Sequence, residues 1–473
     1  MNQLLWLRCD LRLTDNTALT AAMEAGPTIA LYLITPGQWL AHDDAPCKVD
    51  FWLRNLADLS HRLAELNVPL LVRSVDTWQA VPDALREICR EQHIATVHVN
   101  DEYGVHETRR DEAVASTLAG EGIRLRRHLD QLLFAPGSVA TLGGTCFKVY
   151  SQFRKFCYSR LATAMPSCLP IPQAQAPLDI ASDLLPAQVP GFEAPSENLR
   201  ALWPAGEAAA RQRLAVFAED DMADYQTRRD FPAEAGTSQL SPYLAAGVIS
   251  PRQCLHAALN ANHGEFSSGN LGAVTWINEL LWREFYKHIL VGYPRVSMGR
   301  AFKPETEALP WRDAPKDLAA WQEGRTGFPI VDAAMRQLLA TGWMHNRLRM
   351  IAAMFLTKNL LIDWREGERW FMRHLIDGDL AANNGGWQWS ASTGTDSVPY
   401  FRLFNPLSQS QKFDPDGRFL RQWLPEFASL NRRDIHNPSA MGGLFGVADY
   451  PRPLVDLAAS RERALAAFRN LES

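Results

Sequence analysis

The sequence lacks several things whose absence narrows its function. It has no apolar run of about 18 residues, so it offers no transmembrane helix. The apolar stretch Leu4–Leu7 is too short for a secretory leader and is followed at once by Arg8 and Asp10. The seven cysteines (Cys9, Cys47, Cys89, Cys146, Cys157, Cys168 and Cys254) contain no CxxC pair and are odd in number. That argues against a disulfide framework or a zinc site and for reduced thiols in a cytoplasmic protein. Positive charge is not in excess: the formal net charge is −5. A protein that coats nucleic acid over its whole surface would be basic, so any nucleic-acid contact must come from a local patch. No GxGxxG follows the first apolar run, which removes the dinucleotide fingerprint. Asp377 and Asp379 are paired carboxylates, but His374 is the only histidine nearby, and no metal site is expected. Internal repeats and a long polar tail are also missing.

What is present is organised in blocks. A length of 473 residues suits two or three domains. Short apolar runs at Leu4–Leu7, Thr28–Ile34, Leu70–Val75 and Thr96–Val99, with a weaker fifth at Ile123–Arg127, alternate with helical patterns. The helical patterns lie near Asn16–Ala25, Val49–Leu66, Val81–Glu91 and Glu107–Leu118. This alternation predicts an α/β domain over residues 1–130, with a doubly wound parallel sheet that is Rossmann-like but lacks the glycine fingerprint. Asp15 is the expected N-cap of the first helix. Seven prolines between Pro166 and Pro195 mark an extended connector, placed at residues 131–200. Residues 201–473 read as nearly all α, with helices at Glu207–Phe217, Pro251–Ala261, Gly272–Val291, Pro329–Thr341, Asn346–Asn359 and Glu366–Leu375.

Four segments carry the chemistry. In TWINELLWREFYKHIL, helical spacing puts Glu279, Trp282, Arg283 and Tyr286 on one side and leaves Trp276, Leu280 and Leu281 as core. A carboxylate, an indole and a guanidinium on one face suit recognition, and equally suit a salt-bridged surface. In TGWMHNRLRM, His345 and Arg349 form one stripe and Asn346 and Met350 the next; a lone histidine there reads first as structural. TSQLS, Thr237–Ser241, is rich in hydroxyls ahead of a helical segment, which fits a capped or phosphate-holding N-terminus. DGDLAANNGGWQWSASTGTD gathers Asp377, Asp379, Asn383, Asn384, Gly385, Gly386, Trp387 and Trp389. Two glycines permit close approach to a flat ligand, and asparagine amides can donate and accept at a heteroaromatic edge.

Together these segments resemble the photolyase/cryptochrome family, and most nearly its bacterial class I photolyases for cyclobutane pyrimidine dimers. The resemblance runs from WLRCDLRLTDNTAL through YQTRRDFPAEAGTSQLSPYLAAGVISPRQC, WINELLWREFYKHI, GFPIVDAAMRQLLATGWMHNRLRM, LLIDWREGERWFM and DGDLAANNGGWQW to YFRLFNP. It implies an N-terminal antenna-pigment domain and a helical domain holding FAD. It also implies a carbon–carbon lyase reaction: light-driven electron transfer from reduced FAD to a flipped-out dimer in DNA.

Residue by residue, the resemblance implies FAD contacts at Tyr225, Thr237, Ser238, Gln239, Leu240, Ser241, Trp276, Asn346, Arg349, Asp377, Gly378, Asp379 and Asn383. Asp377 and Arg349 have the residue types of a buried ion pair over the cofactor, and Asn383 matches the position beside the reactive flavin nitrogen. Trp387, Trp364 and Trp311, innermost first, match the tryptophan chain that photoreduces the flavin. Glu279, Trp282, Asn346, Met350 and Trp389 match the lesion pocket, with Tyr286 on the same helical face. Arg229, Arg283, Arg347, Arg402 and Lys412 match a phosphate-binding patch. Photolyases for (6-4) lesions need a histidine pair where this chain has Asn346 and Met350, which favours cyclobutane dimers.

For the antenna, His42 and Glu107 match residues that hold methenyltetrahydrofolate, while His106 stands at an asparagine position and Ser297 and Met298 at a Cys-Lys pair. Methenyltetrahydrofolate is the expected antenna, with a deazaflavin or no antenna at all as the alternatives. The expected partner is single- or double-stranded DNA carrying pyrimidine dimers, met by a monomer. A blue-light receptor of cryptochrome type is the competing reading. Asn383 and the chain ending at Ser473 without a long polar tail point away from it.

Overall fold

A computed structural model describes residues 1–441, 447 and 450–471. By internal contacts the chain forms two compact units that do not follow chain order. Unit 1 comprises Met1–Ala223, Ser238–Pro294 and Ile376–Asp379; unit 2 comprises Asp224–Thr237, Arg295–Leu375 and Leu380–Ser473.

Unit 1 is built on β1 (Asn2–Leu7), α1 (Thr17–Ala25), β2 (Thr28–Ile34), α2 (Pro46–Glu65), β3 (Leu70–Ser74), α3 (Val81–Glu91), β4 (Ile94–Asn100), α4 (Val105–Ala119) and β5 (Arg124–His128). The strands lie in the order β3-β2-β1-β4-β5, and every pairing is parallel. All seven residues of β2 are buried, as an interior parallel strand covered on both faces requires. The edge strand β5 reads Arg-Leu-Arg-Arg-His and exposes Arg124, Arg126 and Arg127, charges that discourage edge-to-edge pairing. The predicted strands fall on the observed ones within two residues at either end, because alternating βα blocks leave few other ways to bury those runs.

The first helix corrects one expectation. Its N-cap is Asn16, whose side chain accepts from the Leu19 amide; Asp15 sits at φ 58° and is fully buried. Asp15 is taken by a tertiary ion pair with Arg252 (2.8 Å). A second difference lies in the stretch read as a connector: Tyr150–Thr163 forms a helix, α5, buried through Tyr150, Phe153, Cys157 and Leu161. Residues 164–195 carry no helix or strand. They are pinned along the sheet where Gln175 bonds the Thr28 carbonyl (2.9 Å) and Asp183 accepts from the Val72 amide (2.8 Å). All seven cysteines are free.

Unit 1 also contains α6 (Pro251–Ala261) and α7 (Leu271–Gly292). Buried charge joins the first of these to the sheet. Arg12 pairs with Asp130 (2.7 Å), and Arg252 pairs with both Asp15 and Asp130 (3.0 Å). Arg12 also donates to the Gly247 carbonyl (2.9 Å), and Gly247, at φ +64°, lies so close to Cys9 that a Cβ there would overlap its carbonyl.

Unit 2 is helical: α8 (Pro329–Thr341), α9 (Asn346–Met354), α10 (Trp364–Met372), α11 (Leu380–Ala391), α12 (Pro406–Phe413) and α13 (Leu457–Arg469) frame it. The long helix expected over Asn346–Asn359 is α-helical to Met354 and then a π turn over Phe355–Asn359. Its core contains Met335, Leu338, Ile351, Phe355 and Phe371 with three buried tryptophans, Trp321, Trp364 and Trp387.

Removing one partner from a buried ion network leaves the others uncompensated. Asp130→Asn is therefore expected to lower unfolding free energy by about 3 kcal/mol, measured by urea titration of unit 1 fluorescence. A loss below about 1 kcal/mol would show that the two arginines find other compensation.

Candidate flavin and DNA site

The α7 helix presents its two faces as its spacing predicts. Trp276, Leu280 and Leu281 are buried, while Glu279, Trp282, Arg283 and Tyr286 are half-exposed. Two of the exposed residues have partners that no local pattern reveals. The Trp282 indole stacks on Tyr150 of α5, with centroids 3.7 Å apart and planes 12° from parallel. The Arg283 guanidinium donates to the Gln131 carbonyl at 2.6 Å. Trp282 thus has one backed face, and one Arg283 nitrogen is bound to the backbone.

The other unit 1 residues occupy two short segments. Ser241–Ala245 is a five-residue helix whose N-cap is Leu240 without a side-chain cap, so the hydroxyls of Thr237–Ser241 do not cap it. Gln239, at φ 49°, instead accepts from Arg213 (2.8 Å). Asp377 is buried, and Asp379 accepts a 2.7 Å bond from the buried Lys287 ammonium of α7.

In unit 2, α9 starts at Asn346 because the buried His345 caps it: Nδ1 accepts from the Arg347 amide (3.2 Å). Burial pushes the His345 imidazole down to about 4, so it is neutral and free to accept. Asn346 is exposed, and Arg349 and Met350 are half-buried. Around them lies a small basic and aromatic cluster. Arg347 pairs with Asp230 (2.8 Å) and lies over the Phe413 ring (4.5 Å); Lys412 lies over the same ring (5.0 Å). Phe231 meets Phe413 edge-on, and Arg229 covers Tyr225 at 5.2 Å. Arg402 is exposed farther along the chain.

The Asn-Asn-Gly-Gly-Trp run, whose glycines permit close approach to a flat ligand, lies within α11. A Cβ at Gly386 would meet nothing within 4 Å. Asn383 Nδ2 donates to the Glu368 carbonyl (2.9 Å), which fixes the amide and leaves Oδ1 as the acceptor for a ring N–H. That orientation fits a reduced flavin, whose nitrogen carries a proton. Trp387 and Trp364 are buried, and Trp311 is partly buried against the same core. Two neighbours of Trp387 escaped the sequence reading. Gly367 lies directly under its indole, where any Cβ would collide with the ring, and Phe371 and Trp321 meet it edge-on at 4.9 and 5.9 Å. Gly367, four residues before Phe371, gave no signal beyond being a glycine inside a helical pattern. Trp389 is half-exposed, two residues beyond Trp387.

A second candidate pocket lies within unit 1. His42 sits edge-on to Trp78 (4.8 Å), 5.3 Å from the exposed His106 ring, and 2.9 Å from the Gln38 amide. Arg110 covers Trp78 at 4.5 Å. Burial, with Glu102 nearby, raises Glu107 to about 6. Its carboxylate folds back so closely over Gly104 that no Cβ would fit there.

Known structures share this architecture over nearly the whole chain. A class III photolyase from Agrobacterium tumefaciens aligns with TM-score 0.88 and 35% identity, covering 100% of this chain and 98% of that one. A Synechocystis cryptochrome aligns with TM-score 0.89 and 30% identity, covering 98% and 99%. This defines the class as photolyase or cryptochrome. Residues 3–173 match the family model described as DNA photolyase, and residues 276–470 the one described as FAD binding domain of DNA photolyase. The deoxyribodipyrimidine photo-lyase of Escherichia coli K12 is 44% identical over 469 residues, 98% of each chain, and that of Vibrio cholerae 44% identical over 473 residues, 99% of each. The chain belongs to the DNA photolyase family and carries its FAD-binding domain.

The His345 cap has a pH consequence. Its folded pKa lies below the unfolded value, so the unfolded chain binds the extra proton first, and stability falls as pH drops from about 6.5 toward 4. Thermal midpoints measured across that range should fall less steeply for His345→Asn, which caps without titrating, than for the wild type. Parallel curves would remove His345 from the acid response.

Proposed function

We propose that this chain is a light-driven lyase that splits cyclobutane pyrimidine dimers in DNA; its full-length relatives are named deoxyribodipyrimidine photo-lyase. The observation that carries the reading is the half-exposed α7 stripe, where Trp282, backed by Tyr150, stands beside Glu279. A buried duplex lesion must be extruded to be reached, and an extruded base needs a stacking wall and a hydrogen-bonding group. Trp282 and Trp389 serve as the walls, Met350 as an apolar contact, and Glu279 and Asn346 as the polar ones. Arg229, Arg283, Arg347, Arg402 and Lys412 hold phosphates, which reconciles DNA binding with a net acidic chain.

FAD supplies, when bound and reduced, the light-excited electron donor. In unit 1, Ser238–Ser241, Trp276, Asp377, Gly378 and Asp379 are assigned to it; in unit 2, Tyr225, Thr237, Asn346, Arg349 and Asn383. Asn383, its Nδ2 bound to Glu368, would offer Oδ1 as an acceptor to a protonated flavin nitrogen, and this supports repair over signalling, a distinction that likeness to a cryptochrome does not make. Trp387, Trp364 and Trp311 relay electrons that keep the flavin reduced.

The His42, Trp78 and Glu107 pocket is assigned to a methenyltetrahydrofolate antenna; a deazaflavin is the other chromophore of the right size and flatness. The class I subtype, action as a monomer in the cytoplasm and acceptance of both single- and double-stranded substrate complete the proposal. Among the described residues no helix is long and apolar enough to cross a membrane.

The test uses protein with pre-reduced FAD under near-UV or blue light and two oligonucleotides, one with a cyclobutane thymine dimer and one with a (6-4) product. Chromatography should show the first restored and the second untouched. Restoration of the (6-4) product instead would overturn the lesion assignment.

A further inference from the structure

From Gln131 to Leu178 the chain contains no aspartate or glutamate, although it is acidic overall. The same stretch carries Lys148, Arg154, Lys155 and Arg160. Its ordered centre is α5, whose buried side faces α7. Tyr150 stacks on Trp282 and donates its hydroxyl to the Asn278 carbonyl (2.6 Å). Tyr158 donates to the Asn278 side chain (2.6 Å), and Phe153 packs on Phe285 with centroids 5.3 Å apart.

Beside that buried side, the surface of α5, with Lys148 just ahead of the helix, is open and basic. Lys148, Ser151 and Lys155 are exposed, and Arg154 is half-exposed. Ser151, Arg154 and Lys155 fall three and four residues apart, so they share one surface stripe. Lys155 forms no ion pair among the described residues. The stripe begins beside the half-exposed face of α7, since Tyr150, next to Ser151, stacks on Trp282 and donates to the Asn278 carbonyl.

We infer that the exposed stripe of α5 (Lys148, Ser151, Arg154 and Lys155) is a phosphate-binding surface that grips the DNA backbone beside the dimer. The inference rests on the repair reading given above and adds to it a DNA contact on unit 1. Tyr150 is the positioning residue in this arrangement. It ties the phosphate-gripping helix to the indole that stacks on the lesion, so that the grip and the wall move as one piece. An acid-free surface is what such a helix needs, because a carboxylate in the stripe would repel the phosphates at close range.

Titration of the full-length, FAD-bound protein with a fluorescent duplex carrying one cyclobutane dimer, between about 50 and 200 mM salt, tests this. Each lost phosphate contact lowers the salt slope by about 0.9. Arg154→Gln/Lys155→Gln should therefore weaken binding roughly tenfold and flatten log K against log salt by about 2. Arg124→Gln/Arg126→Gln on β5 removes the same charge elsewhere on unit 1 and should bind as the wild type does. Flavin absorbance and thermal midpoint check that each variant is folded.

Wild-type affinity and slope in the α5 variant would overturn the inference. An equal loss in the β5 variant would also overturn it, by reducing the effect to net charge. Failure of the wild type to prefer dimer-containing over undamaged duplex would instead count against the repair reading, and the α5 comparison on either duplex would still stand.

Discussion

Asp130 is shared by two buried arginines, and unit 1 depends on that sharing. Arg12 comes from the loop after β1, and Arg252 from the start of α6; Asp15 closes the set. Four charged groups removed from water would be costly if any were unmatched. Here they alternate in sign, and the remaining donors reach backbone carbonyls. The sequence Pro251–Gly292, nearly all helix, is fastened in this way to the end of a parallel sheet. A second buried carboxylate continues the attachment: Glu284 of α7 accepts from the Leu133 and Phe134 amides at 3.0 and 2.9 Å. The helix that presents Glu279 and Trp282 is thereby held by polar groups that allow little sliding, whereas apolar packing alone would tolerate several registers.

Unit 2 solves a different problem, with aromatic packing in place of buried charge. Trp387 fits because Gly367 has no side chain and because Phe371 and Trp321 meet its edges. Close packing of indoles in a dry core suits electron relay, since it fixes ring positions and excludes solvent reorganisation. On the same helix, one turn earlier, Asn383 is locked by Glu368. One helix therefore carries both Trp387 and Asn383, and a shift in its register would move both.

Much of this was legible in the sequence. The strands and the α7 faces follow from periodicity, which needs only local residues. Long-range partners were not legible. Asp15 and Asn16 are equally good caps by type, and only the arrival of Arg252 decides between them. Nothing near Arg283 in the sequence announces its bond to the distant Gln131 carbonyl. The apolar spacing of Tyr150, Phe153, Cys157 and Leu161 was present to be read, but it adjoins a proline-rich stretch whose composition suggested an extended chain throughout. The sequence assigned no element to DGDLAANNGGWQW; Gly385 and Gly386 lie in α11, where burial of Ala381, Trp387 and Ala391 outweighs their weak helix propensity.

The central claim is that light, acting through a reduced flavin held by these residues, splits the dimer. The direct measurement is the number of dimers split in a mixture of fully reduced protein and dimer-containing oligonucleotide after a single flash, against an identical mixture kept dark. The account predicts conversion only in the flashed sample, at no more than one dimer per complex. Equal conversion in the dark, or none after the flash with the flavin fully reduced, would contradict it.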